Sequence, residues 1–290
     1  MSPTRGSNSL TRAAARVLTV LLLAPLYIDA ATPLRAQTPP AATEANAERS
    51  TPVPFTVGEE LVYRATFGKL PAGTARMRVQ GIDTVRGHEA YHVAFIVDGG
   101  IPFFRVHDRY ESWIDVQTLS SLRYTQSISE GRYHRETTYE FFPERAEYQK
   151  NDEPPQPSVV NPLDEGSFIY AARVANIHVG DTLRVARYFV PDRNPVTFIG
   201  DRTDTIDVRA GSFVAVVVRP SIRTSGMFAE SGDAQVWFSN DERRVPVQVK
   251  TRFAHFSLTL KLESMTTGDR QAVAVIGNSA RSSSTDPRPY

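Results

Sequence analysis

Hydrophobic positions recur every second residue along most of this chain. Residues 233–250 do so twice. Ala234, Val236 and Phe238 share one face of a first run, with Gln235, Trp237 and Ser239 opposite, and Val245, Val247 and Val249 share a face of a second run. A period of two marks a half-buried strand. Asn240 and Asp241 between the runs carry turn chemistry, because both tolerate left-handed backbone and bond their own main chain. The stretch therefore predicts a β-hairpin with a charged tip. Pro246 has no N–H to give a ladder, which restricts it to an edge, a bulge or a strand start.

The same alternation predicts strands at 60–67, 74–79, 90–97 and 106–116, joined by short turns as an antiparallel meander. Gly99-Gly100-Ile101-Pro102 is expected to break the run. In 106–116, Val106, Asp108, Tyr110, Ser112 and Ile114 face one way, and His107, Arg109, Glu111 and Trp113 the other. Strands at 121–129 and 132–142 flank an expected two-residue loop at Glu130-Gly131. In the second of them Tyr133, Arg135, Thr137, Tyr139 and Phe141 share a face.

One segment departs from this period. In 162–176 the apolar Leu163, Phe168, Ile169, Ala172, Val174 and Ala175 fit a short amphipathic helix, with Asn161 or Asp164 as its cap. Gly166 weakens it by about 1 kcal/mol relative to Ala. Strands resume at 182–190, 195–202, 205–209 and 212–222, then the hairpin above, then 256–265. About twelve strands, one helix and no βαβ spacing predict a mainly β domain over residues 55–266. So many strands in one sheet tend to curl or close, and the options are a barrel, a half-barrel or a two-layer sandwich. The preferred reading is a strongly curved antiparallel sheet, half-barrel or barrel-like, with one short helix packed on it.

Composition adds the compartment. Arg5, Arg12 and Arg16 precede an apolar run at 17–28, the pattern of a signal peptide over residues 1–36, with cleavage after Ala36 or Ala30. An uncleaved anchor is the competing reading, although the run falls short of the ~20 residues of a spanning helix. The chain is thus expected to be periplasmic or secreted, and not an integral membrane protein after cleavage. It has no Cys, which excludes disulfides, a thiolate nucleophile and a lipid-bearing cysteine. Residues 37–54 and 267–290 lack apolar periodicity and read as a disordered linker and tail. Loss of residues 1–36 would remove four Arg and one Asp, shifting the net charge from +1 to −2. Nothing in that balance suggests a nucleic-acid partner.

Five stretches carry a family resemblance: F-T-V-G-E-E-L-V-Y-R (55–64), P-A-G-T-A-R-M (71–77), H-D-R-Y-E-S-W-I-D (107–115), R-A-G-S-F (209–213) and V-W-F-S-N-D-E-R-R-V-P-V (236–247). In that order, over about residues 55–265, the chain resembles domain-of-unknown-function family 3108 of exported bacterial proteins. The resemblance implies an exported β-rich protein with no assigned reaction.

Candidate chemistry is sparse. There is no G-x-S-x-G elbow, and His107 and Asp108 point to opposite faces, so no metal site is expected. Arg109 and Glu111 share a face and read as a structural ion pair. A glycosidase needs two carboxyls on one cleft, whereas Asp108 and Glu111 alternate. The expectation is a protein without catalytic residues or cofactor, binding a lipophilic ligand or an envelope partner in its concave sheet, with Trp113, Tyr139 and Trp237 as candidate lining residues. An envelope hydrolase using carboxylates, or a purely structural interaction module, are the alternatives.

Overall fold

Each strand of the computed structural model pairs with its sequence neighbour, and one further ladder sews the two ends of the chain together. The structure describes residues 53–101, 104–222, 233–253 and 256–268. The expected signal peptide, residues 37–52 of the expected linker and residues 269–290 of the expected tail lie outside them. Among the described residues the strands are β1 (Glu60–Phe67), β2 (Leu70–Val85), β3 (His88–Ile101), β4 (Phe104–Asp115), β5 (Ser121–Glu130), β6 (Tyr133–Phe142), β7 (Glu147–Lys150) and β8 (Gln156–Pro157). After helix α1 (Ser167–Ala175) come β9 (Thr182–Val185), β10 (Val196–Val208), β11 (Gly211–Ser221), β12 (Gln235–Ser239), β13 (Pro246–Phe253) and β14 (Phe256–Thr266).

These fourteen strands form one antiparallel sheet in the order β8-β7-β6-β5-β4-β3-β2-β1-β14-β13-β12-β11-β10-β9. It consists of two meanders joined by the β1–β14 ladder, in which Glu60 stands opposite Thr266 and Phe67 opposite Leu258. Among the described residues no ladder links the edge strands β8 and β9, so the sheet is open. Beyond those edges Leu163 and Tyr188 make a parallel bridge. The Leu163 N–H donates to the Arg187 carbonyl at 2.6 Å, and the Phe189 N–H to the Leu163 carbonyl at 3.2 Å.

The hairpin at 233–250 forms as its pattern predicts, and Pro246 opens β13 at a register shift. Its carbonyl accepts the buried Tyr63 hydroxyl at 2.8 Å. Elsewhere the boundaries differ. The expected strands 195–202 and 205–209 are one strand, β10, with a bulge after Gly200 that resets the alternation. The expected strand 182–190 stops at Val185. The β5–β6 loop is Gly131-Arg132, one residue later than expected, because Glu130 still pairs with Tyr133. Gly99-Gly100 does not break β3, which runs on to Ile101. There Gly73 faces Gly99 across the β2–β3 ladder. A Cβ on Gly99 would stand 2.1 Å from the Ala72 carbonyl oxygen, and one on Gly73 2.2 Å from that of Asp98. The glycines admit a close backbone approach.

α1 is shorter than 162–176 because its entry is held by side chains. Asp164 Oδ1 accepts the N–H groups of Gly166 and Ser167 at 2.7 and 2.8 Å. A Cβ at Gly166 would lie 2.3 Å from Ser112 Oγ, so the residue that costs helix propensity permits contact with β4. Asn176, at φ 47°, ends the helix in left-handed backbone. One hydrophobic cluster gathers residues from both meanders and the helix, among them Tyr63, Tyr124, Val218, Leu260 and Phe168. α1 touches both halves of the sheet. Ser167 Oγ accepts the Ser121 hydroxyl of β5 at 2.9 Å, and the Phe168 ring stacks on Phe198 of β10 at 4.7 Å.

Candidate functional site

The three candidate residues do not come together. Trp113 lies on the face of β4 opposite the buried Tyr110 and Ile114. Its Nε1 donates to Asp83 at 2.9 Å, and its ring stacks on His92 at 4.2 Å. With Val85, Ala90 and Leu122 it belongs to a small separate cluster. Trp237 likewise points away from the face that carries Val236 and Phe238, pairing in register with Val217 and Gln248 and donating to Asp204 at 3.0 Å. Trp113 thus stands apart from the main cluster, whereas Trp237, 4% exposed, is buried within it. Successive side chains of a strand alternate faces, and the inward residues of β4 have the other parity. Tyr139 packs against the main cluster, 6.0 Å from the Tyr124 ring and 5.4 Å from Phe189.

Asp108 and Glu111 lie on opposite faces, as their alternation implies. Asp108 is buried, accepting the Ser129 N–H at 2.9 Å and the Tyr110 hydroxyl at 3.3 Å, and burial pushes its pKa up. Glu111 is on the outer face, 2.8 Å from His92 Nε2, 2.7 Å from Arg109 and 3.0 Å from Gln80. Those partners, His92 foremost, hold its carboxyl below the usual range. No two-carboxylate cleft results.

The interior chemistry lies at the two ends of α1. At its C-terminal end a recess of about 280 Å³, counted with the solvent at its mouth, opens between the helix and the inner face of β11–β12. Ala172, Ile177, Val216, Val218 and Phe238 line it together with Asn176, Ser239, Asn240 and Arg244, and the surface it offers is more polar than apolar. Arg244 Nε donates to the Arg173 carbonyl. Burial, and then the charge of Arg173, push the Arg244 pKa down. Arg173 itself is fully buried. It grips both carboxylate oxygens of Glu59 and donates to the carbonyls of Pro54 and Arg243 at 2.8 and 2.9 Å.

At the N-terminal end stand two consecutive acids. Asp164 is fully buried, and its Oδ1 also accepts the Ser112 hydroxyl at 2.7 Å. Glu165 Oε1 accepts the Tyr188 hydroxyl at 2.8 Å. Asp164 Oδ2 and Glu165 Oε2 are buried with no hydrogen-bond partner. Burial raises the pKa of both carboxyls. Sequence reasoning took Asp164 as a cap candidate only. The available signal was the position of both acids just before Phe168, inside a stretch otherwise read as core.

Among the described residues no group of three or more His, Cys, Asp or Glu side chains is arranged to hold a metal ion, and no helix is long and apolar enough to cross a membrane. No curated protein matches the chain. Solved structures that resemble it at low identity include three of bacterial proteins. A beta-barrel-like protein of domain of unknown function DUF1849 from Brucella abortus is 12% identical, with a TM-score of 0.47, over 75% of this chain and 100% of that one. A protein from Parabacteroides distasonis described as a lipoprotein is 12% identical, with a TM-score of 0.34, over 74% and 98%. One from Bacteroides fragilis, described as an exported protein with a YmcC-like fold, is 10% identical, with a TM-score of 0.31, over 74% and 98%. The family model for the protein of unknown function DUF3108 matches residues 62–263, from β1 into β14, and the chain belongs to that family.

Proposed function

We propose that this is an exported envelope protein, without catalytic chemistry of its own, that takes the apolar end of an amphipathic ligand between α1 and the sheet. The observation that carries this reading is the recess at the helix C-terminus, with its apolar floor at Val216, Val218 and Phe238 and Arg244 at its side. Its enclosed part has room for about one water molecule, so only the tip of a ligand enters it. Arg244 supplies the donor for an anionic end.

A curled sheet supports the same reading. α1 has nine residues, about 14 Å of helix. It contacts β5 and β10, which stand nine strands apart in the sheet order. A flat sheet would separate them by about 43 Å, at ~4.8 Å per strand. The sheet thus wraps the helix as a half-barrel, and the recess is part of its concave side. Export rests on the basic and apolar pattern of residues 1–28.

The test is to purify the chain from a bacterial envelope under non-denaturing conditions and extract it for mass spectrometry. A stoichiometric amphiphile, lost in Val216→Phe with circular dichroism and Tm unchanged, is the expected result. An empty protein, or retention undiminished in Val216→Phe, would overturn the reading. An empty protein that cross-links to one envelope component would favour an interaction module.

A further inference from the structure

The first meander has two ends, and the turns at one of them differ in character from those at the other. β1, β3 and β5 run towards this end and β2, β4 and β6 leave it, so the β1–β2, β3–β4 and β5–β6 connections stand in a row along it. At ~4.8 Å per strand the first and third are about 19 Å apart. Two of them touch. The Gly131 N–H donates to the Arg105 carbonyl at 2.8 Å, and a Cβ on Gly131 would stand 2.9 Å from the Phe104 ring. The Gly73–Gly99 approach draws β2 against β3 just below the other two.

Each connection carries a basic residue next to a large apolar one: Lys69 beside Leu70, Arg105 beside Phe104, and Arg132 beside Tyr133. Leu70 is 66% exposed and Tyr133 43%, and Phe104 is partly exposed. All three cations are exposed, and none of them has an ion pair among the described residues. Glu130, the acid of the β5–β6 turn, is buried. At the opposite end the turn cations are neutralised, Arg86 by Glu140 and Arg145 by Glu147 at 2.9 Å.

This pairing selects a partner. A stable protein interface asks for about 1,000 Å² or more of packed surface, whereas these are separate tips. At a bilayer surface each tip acts by itself: the apolar end enters at the level of the headgroups and the cation meets the phosphates. With residues 1–36 removed the net charge is −2, so attraction to an anionic surface has to come from a local cluster of cations.

We propose that the β1–β2, β3–β4 and β5–β6 turns dock this protein on an anionic lipid bilayer. Leu70, Phe104 and Tyr133 enter the interface, and Lys69, Arg105 and Arg132 face the lipid phosphates. The recess lies beside the β12–β13 turn, at the other end of the strands, so docking and ligand binding can fail independently.

The test is flotation of the protein, purified from a bacterial envelope, with vesicles of phosphatidylcholine alone or of equal parts phosphatidylcholine and phosphatidylglycerol. Binding to the phosphatidylglycerol vesicles, weaker on phosphatidylcholine and reduced by salt, is expected. Lys69→Glu and Arg132→Glu should each weaken it roughly fivefold or more. Leu70→Asp should do the same by removing an inserted side chain, again about fivefold or more. Arg145→Glu makes the same charge change at the opposite end and should leave binding within about twofold, as should Val216→Phe in the recess. Circular dichroism of each variant shows that it folds. Absence of binding to the phosphatidylglycerol vesicles, or equal binding to both, would overturn the proposal. So would a loss in Arg145→Glu as large as that in Arg132→Glu, or parental binding by folded Leu70→Asp.

Discussion

Arg173 on α1 holds Glu59, 114 residues earlier in the chain, through both carboxylate oxygens, at 2.6 and 3.0 Å. The guanidinium is fully buried, and it also lies 5.6 Å from the Phe55 ring centroid. The segment entering β1 is thereby fastened to the helix. Removing one partner of a buried pair leaves the other charge uncompensated, which costs about 3–5 kcal/mol. Glu59→Ala is expected to lose that much in urea unfolding. Arg173→Met combined with Glu59→Gln should lose much less than the sum of the two single changes.

Glu165 sets a pH dependence of stability. Its folded pKa lies above that of an unfolded glutamate, ~4.3. The folded chain therefore binds more protons between those values, and stability falls as pH rises through that window. Urea midpoints measured from pH 4 upward should show this slope, and Glu165→Gln should flatten it.

Glu111 acts in the opposite sense. Its folded pKa is depressed by His92, Arg109 and Gln80. The stability it contributes is present above ~4.3, the unfolded value, and is lost as pH falls. Glu111→Gln should be less stable than the parent at pH 7, with the difference shrinking as the solution is acidified.

Gly73, at φ +135° and facing Gly99, has no room for a side chain. Gly73→Ala is expected to cost more than about 1 kcal/mol, whereas the gain from a stiffer unfolded chain at a compatible site is under that. Denaturant unfolding of Gly73→Ala beside Gly87→Ala, a position with nothing within 4 Å, separates the clash from the left-handed backbone that both share.

Trp113→Phe removes the hydrogen bond to Asp83 and should cost about 1 kcal/mol. Because Trp113 is on the outer face, any molecule retained by the parent should be retained equally by the variant, as read by mass spectrometry.

Much of the sheet was legible because period-two alternation survives wherever one face is buried. The hairpin around Asn240 and the strand 60–67 are found where the pattern puts them. The pattern failed where backbone, not side chains, decides. The bulge after Gly200 made β10 read as two strands, and the Gly99-Gly100 pair read as a break although it is a close approach. Of the candidate residues, Tyr139 and Trp237 pack with the main cluster and Trp113 does not. The parity of Trp113 with Arg109 already set it apart from the core face. Arg173 and Glu165 were invisible because a buried charge is identified by its partners, and those lie in distant strands and turns.

The β1–β14 ladder fixes the order in which the chain is finished. β2 to β8 each find a partner made only moments before, as do β10 to β14. One side of β1 has no such neighbour. Glu60 waits for Thr266, so during synthesis the first strand carries an unsatisfied edge until the last has emerged. That interval is when a nascent chain is most open to pairing with the wrong strand, and a holding chaperone would find β1 exposed.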